Sequence, residues 1–134
     1  MSYAARTRVA VEDTRMEIEK TLRKYRADQF ASAIDDGARA AWVQFRLAKR
    51  VIRFEMRNIP KQPQQERSRW RALLLCIKGK LEAVSSNIET FDEAFMAHVV
   101  MPDGRRFAEA ALPAIEHAAS TGKLPHNLLE FKGE

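Results

Sequence analysis

Cysteine occurs only once in this chain, at Cys76, so no internal disulfide can form and the fold must rest on its apolar core. The lone thiol fits a reducing cytoplasm, and its setting in Leu73-Leu74-Leu75-Cys76-Ile77 predicts a buried structural residue with no histidine beside it to make a nucleophile. Long apolar runs are missing too. The longest, Ala72 to Ile77, ends at Lys78, far short of the roughly 18 residues of a membrane helix. The first residues, MSYAARTRVAVEDT, have no apolar stretch followed by a cleavage site, so no secretory signal is expected there. Histidine is scarce: His98, His117 and His126 are not spaced three or four apart, so no helical metal pair exists. Gly37 and Gly104 are isolated turn glycines rather than phosphate cradles, and there is no Walker loop, GxGxxG fingerprint or nucleophile elbow. Asp35 and Asp36 fall in a turn, and Asp92-Glu93 and Glu116-His117 have the composition of exposed helices. The expectation is a protein that is not an enzyme, with no metal and no cofactor.

What the chain does have is an uneven charge. Its net charge is +5, yet residues 39–80 carry twelve basic side chains against Glu55 and Glu66, or +10. Residues 1–38 are neutral and residues 81–134 stand at −5. A split of this kind speaks about partners more than about fold, and a polyanion is the first candidate.

The 134 residues suffice for one domain. Thr14-Arg15-Met16-Glu17 matches a capping box, and Ile18, Leu22 and Tyr25 follow at helical spacing, which predicts a helix from about 14 to 26. A flexible arm is expected over 1–13. Asp35-Asp36-Gly37 is a turn signal. Around it, Val43, Phe45 and Leu47 alternate with Trp42, Gln44 and Arg46, and Ile52, Phe54 and Met56 alternate with Val51, Arg53, Glu55 and Arg57. Period two predicts strands at about 29–35, 40–47 and 50–58. Trp70, Leu73, Leu74, Ile77, Leu81, Val84 and Ile88 predict a helix over 64–88. Thr90-Phe91-Asp92-Glu93 caps a short helix through Val99. A last helix, 105–121, is expected to turn Phe107, Ala111, Leu112, Ile115 and Ala118 inward and to kink or break at Pro113 before Gly122. The fold expected is α+β, ordered α-β-β-β-α-α-α. A three-stranded antiparallel meander carries its helices on one face, in a single domain over 14–124 with a loose tail at 125–134.

The basic segment then acquires geometry. Strand alternation puts Trp42, Arg46, Arg53 and Arg57 on the outer face, with Lys49 and Arg50 at the hairpin tip. An aromatic ring among cations is what single-stranded nucleic acid binds, by stacking on the ring and phosphate contacts around it. Arg67, Arg69 and Arg71 straddle the start of the long helix, where positive charge opposes the macrodipole, and would extend the track. Three readings of this face stand together: nucleic acid, an acidic protein partner, or a solvated basic surface of the kind edge strands use against aggregation. A meander edge is also compatible with a homodimer.

The segments VEDTRMEIEKTLRKYRADQF, RWRALLLCIKGKLEAVSSNIETFDEAFMAHVVMPDGR and TGKLP resemble a largely uncharacterised family of small proteins encoded by bacteriophages and prophages. The likeness is one of pattern: helix, basic meander, Trp-led helix, then the TFDEAF and MPDG elements. It implies action in the host cytoplasm. There the protein would serve phage DNA metabolism by binding single-stranded DNA, or inhibit a host defence complex by binding protein, or form a structural part of the phage.

Overall fold

The computed structural model describes residues 3–127. Helix α1 spans Tyr3–Lys24, strands β1 Gln29–Asp35, β2 Ala40–Leu47 and β3 Arg50–Met56, and helix α2 Pro63–Ser85. Helix α3, Phe91–Phe95, runs into a 3-10 turn at Met96–His98, and α4 spans Phe107–Thr121. The order is the expected α-β-β-β-α-α-α. The strands form one antiparallel sheet, β1-β2-β3. The fold is α+β.

Alternation along the strands decides what the sheet buries. Ala41, Val43 and Phe45 of β2 and Ile52, Phe54 and Met56 of β3 point to the inner face. There they join Val11, Ile18 and Leu22 of α1, the Trp70–Leu81 stripe of α2, and Ala94 and Phe95 of α3 in one core. Each large apolar side chain so buried contributes about 1.5–3 kcal/mol.

Helix α1 begins at Tyr3, not near Thr14, so the expected arm is helical from that point on. The buried stripe runs Thr7, Val11, Thr14, Ile18, Leu22, and its two threonines hide the period from a hydrophobicity reading. The Thr14 hydroxyl does not cap a helix start. It donates to the Ala10 carbonyl one turn back, at 3.1 Å. The expected tail over 125–134 lies outside the described residues from position 128 onward.

Both hairpin turns differ from a glycine-centred picture. In the β1–β2 turn Arg39, not Gly37, is left-handed, at φ 50°. It is anchored by its guanidinium, which donates to the carbonyls of Ile59 (3.1 Å) and Pro60 (2.8 Å). Ala48 and Lys49 form a two-residue turn with φ 52° and 63°. This is type I′ geometry made without glycine, at about 1–2 kcal/mol of backbone strain per residue, offset by the ladder it closes. Strand β3 stops at Met56, before the left-handed Asn58.

Helix α2 starts on Pro63, with the Gln62 side chain accepting from the Gln65 amide at 2.8 Å. Its core stripe leaves Leu75 and Cys76 outside, so the thiol expected to be buried is exposed. Ile88 lies past the helix end and is also exposed. Thr90 and Glu93 do form the expected capping box of α3. Beyond the 3-10 turn the chain becomes extended rather than helical. Val99 pairs with Ile52, and Val100 donates to the Val51 carbonyl at 2.8 Å. Helix α4 continues through Pro113 without a break. It turns Ala110, Ala111 and Ala114 inward, so the burial on both sides of the proline holds the two halves in one element. Leu112 and Ile115, expected inside, are exposed.

His98 stacks on Phe54 with ring centroids 4.1 Å apart, and its Nδ1 is buried without a hydrogen-bond partner. Burial first, then the charges of Lys80 and Arg106, lower its pKa to about 4. In the unfolded chain this imidazole titrates near its ordinary 6.5, so on acidification protons bind the unfolded state first. Stability should be complete above that pH and fall as pH drops towards 4, with a slope of up to about 1.4 kcal/mol per pH unit. Urea unfolding of His98→Phe, which keeps a ring on Phe54, should flatten that slope between about pH 6.5 and 5. An unchanged slope would refute the role of His98.

Candidate nucleic-acid interface

The pairing register builds the outer face row by row. Ala33, Trp42 and Glu55 stand abreast; next to them stand Ala31, Gln44 and Arg53, then Gln29, Arg46 and Val51. Strand β1 therefore lays a floor of Ala31 and Ala33 between Gln29 and Asp35, and β2 raises the half-buried Trp42 beside it. Strand β3, with Arg57 just past its end, forms a charged wall of Arg53, Glu55 and Arg57. At the Trp42 end the surface sinks into a groove of about 250 Å³. Its outward side chains are Ala33, Asp35, Ala40, Trp42, Glu55 and Arg57, the last of these one residue past the end of β3.

Glu55 organises the wall. Its carboxylate accepts from Arg53 Nε at 2.8 Å and Arg57 Nη2 at 2.9 Å, and Arg106 Nε lies 3.6 Å away. Burial pushes the Glu55 carboxyl up, but the hydrogen bonds from Arg57 and Arg53 and the charges of Arg106 and Arg53 outweigh it and hold it below the usual range. Arg53 also donates to the Gly104 carbonyl at 3.0 Å, and Arg106 to Glu109 at 3.0 Å. Each of these guanidinium groups is held in place by at least two contacts, except Arg57, whose side chain is 71 % exposed.

Most of the other predicted residues are also engaged. Arg46 makes a two-pronged pair with Asp28, whose carboxyl is lowered chiefly by that hydrogen bond. Arg50 reaches both oxygens of Asp92, at 3.2 and 3.3 Å. Lys49, exposed in its turn, makes no ion pair among the described residues. On α2 the predicted track divides. Arg69 donates to the Arg57 carbonyl at 3.2 Å and so sits against the end of β3. Arg71 leaves the other flank of the helix for Glu17 of α1, at 2.9 Å. Arg67 is half-buried near the helix start.

Of the predicted set, the fold brings Trp42, Arg46, Arg53 and Arg57 onto one face, with Lys49 and Arg50 at its hairpin end and Arg69 at its opposite end. Arg71 does not extend that face. Sequence reasoning missed Arg106, the alanine floor and the carboxylates of Asp28 and Asp92. Only Glu55 carried a legible signal, because alternation already places it between Arg53 and Arg57.

The chain matches no protein-family model, no curated protein and no solved structure. Among the described residues no group of three or more His, Cys, Asp or Glu side chains is placed to hold a metal. No described helix is long and apolar enough to cross a membrane.

If Glu55 holds the wall together, Glu55→Ala should cost about 1–3 kcal/mol in chemical denaturation, because Arg53 and Arg106 lose their shared acceptor. Glu55→Gln, which still accepts hydrogen bonds, should cost less. Equal losses for the two variants would show that only side-chain volume matters there.

Proposed function

We propose that the protein binds single-stranded nucleic acid, preferably DNA, on the outer face of its sheet and catalyses no reaction. Its place would be phage or prophage DNA metabolism, the context implied by its resemblance to small phage-encoded proteins. One observation carries this reading: Trp42 stands between an alanine floor and an arginine wall, in a groove lined by the three strands and by Arg57 just past the end of β3. A base lying over Ala31 and Ala33 meets the indole, and its phosphates come within reach of Arg57, Arg53 and Arg46. Stacking of this kind contributes about 1–3 kcal/mol per base.

The internal ion pairs shape the binding. A phosphate must take Arg57 or Arg53 from Glu55, or Arg46 from Asp28, so one oxyanion replaces another. The exchange keeps the guanidinium groups ordered before the ligand arrives, and it holds affinity below that of unpaired arginines.

Quenching of tryptophan fluorescence by a single-stranded oligonucleotide tests the reading. Trp70 is only 1 % exposed, so quenching reports on Trp42. Affinity should fall steeply with salt as counterions are released. Trp42→Ala, followed by anisotropy of a labelled oligonucleotide, should weaken binding by about 1–3 kcal/mol and leave the salt slope alone. Arg57→Ala should lower that slope by about 0.7. Glu55→Gln should tighten binding, because it removes the carboxylate charge that competes with phosphate for Arg53 and Arg57. Affinity independent of salt, or unmoved by both Trp42→Ala and Arg57→Ala, would overturn the assignment.

A further inference from the structure

The β3 edge of the sheet is covered where Val99 and Val100 run along Ile52 and Val51, and the β1 edge is open. The two-residue turn makes Leu47 and Arg50 a hydrogen-bonded pair, and hydrogen-bonded and non-bonded pairs then alternate along the ladder. Val51 therefore turns its carbonyl away from β2, and the Val100 amide takes it at 2.8 Å. The same alternation directs Trp42, Gln44 and Arg46 towards β1. Their partners Ala33, Ala31 and Gln29 bond back, which leaves Phe30, Ser32 and Ile34 with amide and carbonyl at the outer edge. Among the described residues no backbone bond reaches that edge. The strand, QFASAID, also has no proline, lysine or arginine, the residues by which exposed edges are usually blocked. Ile34 is 37 % exposed there, and Phe30 is only partly covered.

We propose that this edge pairs with β1 of a second copy of the chain, antiparallel about a two-fold axis at Ser32. The strand is self-complementary in that register. Ser32 meets its own counterpart, Phe30 the partner's Ile34, Ala31 the partner's Ala33, and Gln29 the partner's Asp35. Every outward amide and carbonyl of Phe30, Ser32 and Ile34 then finds a complement. On the inner side Phe30 and the partner's Ile34 cover one another at the rim of the two cores. On the outer side alanine meets alanine, and the Gln29 amide faces a carboxylate, so no like charges meet along the strand. Arg15, which donates to the Ser32 hydroxyl close to the axis, is already balanced by Glu12 at 2.6 Å within its own copy. The contact is isologous and closes on itself, so it stops at a dimer. The outer faces of the two copies become one continuous surface with a Trp42 groove on each side of the axis. The pairing rests on the edge alone and stands whether or not that surface binds nucleic acid.

Light scattering on a size-exclusion column should give twice the chain mass of 15.3 kDa for the wild-type protein and a single chain mass for Ile34→Lys, which sets a charge on the edge. A second variant reads the register. Ser32→Cys in a Cys76→Ser background places two thiols across the axis with Cα atoms about 5.5 Å apart, within disulfide reach, so mild oxidation should link the copies covalently. A wild-type mass of one chain overturns the proposal. So does a dimer that Ile34→Lys leaves intact and Ser32→Cys fails to cross-link.

Discussion

Three phenylalanines tie the sheet to the second half of the chain. Phe45 of β2 lies nearly parallel to Phe54 of β3, with centroids 6.5 Å apart and planes at 13°. Phe95 of α3 stands edge-on to both, at 6.1 and 6.2 Å, and Phe91 stacks behind it at 4.7 Å. Such pairs contribute roughly 0.5–1.5 kcal/mol each beyond the area they bury, and their larger effect here is positional. Once Phe95 is seated, the next turn sets His98 on Phe54 and lays Val99 beside Ile52. The chain then reverses at Gly104 and delivers Arg106 to Glu55. The same seating puts Asp92, at the start of α3, against Arg50. The cover over the start of the β3 edge and the charged wall beside it follow from one aromatic contact inside the core.

The charge of the basic segment takes a different form in three dimensions. A count along the chain finds +10 over residues 39–80. In the folded protein Glu17, Asp28 and Asp92, all outside that window, come to Arg71, Arg46 and Arg50. Glu55 and Glu66, inside it, take Arg53, Arg57 and Arg39. The exposed pairs of Arg71, Arg46 and Arg50 contribute about 0–1 kcal/mol apiece, less than the half-buried pairs of Glu55. They hold guanidinium groups in fixed places and leave them exchangeable. An ordered face with nearly balanced charge differs from a bare cationic one, and it would select a ligand by shape and stacking as much as by charge.

Much of the fold was legible. The period-two runs at 42–47 and 51–57 located the sheet and its two faces, and the long stripe from Trp70 located α2. The Thr90 capping box located α3. The misses share a cause. Thr7 and Thr14 occupy core positions of α1, the Thr14 hydroxyl bonded back to the Ala10 carbonyl, so the apolar period looked broken. In α4 Ala110, Ala111 and Ala114 rather than Leu112 and Ile115 face inward, and buried alanines carry a weaker apolar signal than the larger side chains beside them. Cys76 sits among leucines yet falls off the helix stripe, which composition cannot distinguish. At the candidate site, Trp42 and the outward arginines of β2 and β3 could be read from alternation, and Arg106 could not.

By itself the sequence determined which side chains share a face, because pleat and helix periods are properties of the local backbone. That put Trp42, Arg46, Arg53 and Arg57 together before any packing was considered. Tertiary structure decided which charges meet a counter-charge and which strand edge stays open. Ion pairs and ladder hydrogen bonds form over about 3–4 Å between segments far apart in the chain, and no local period encodes which segments those are.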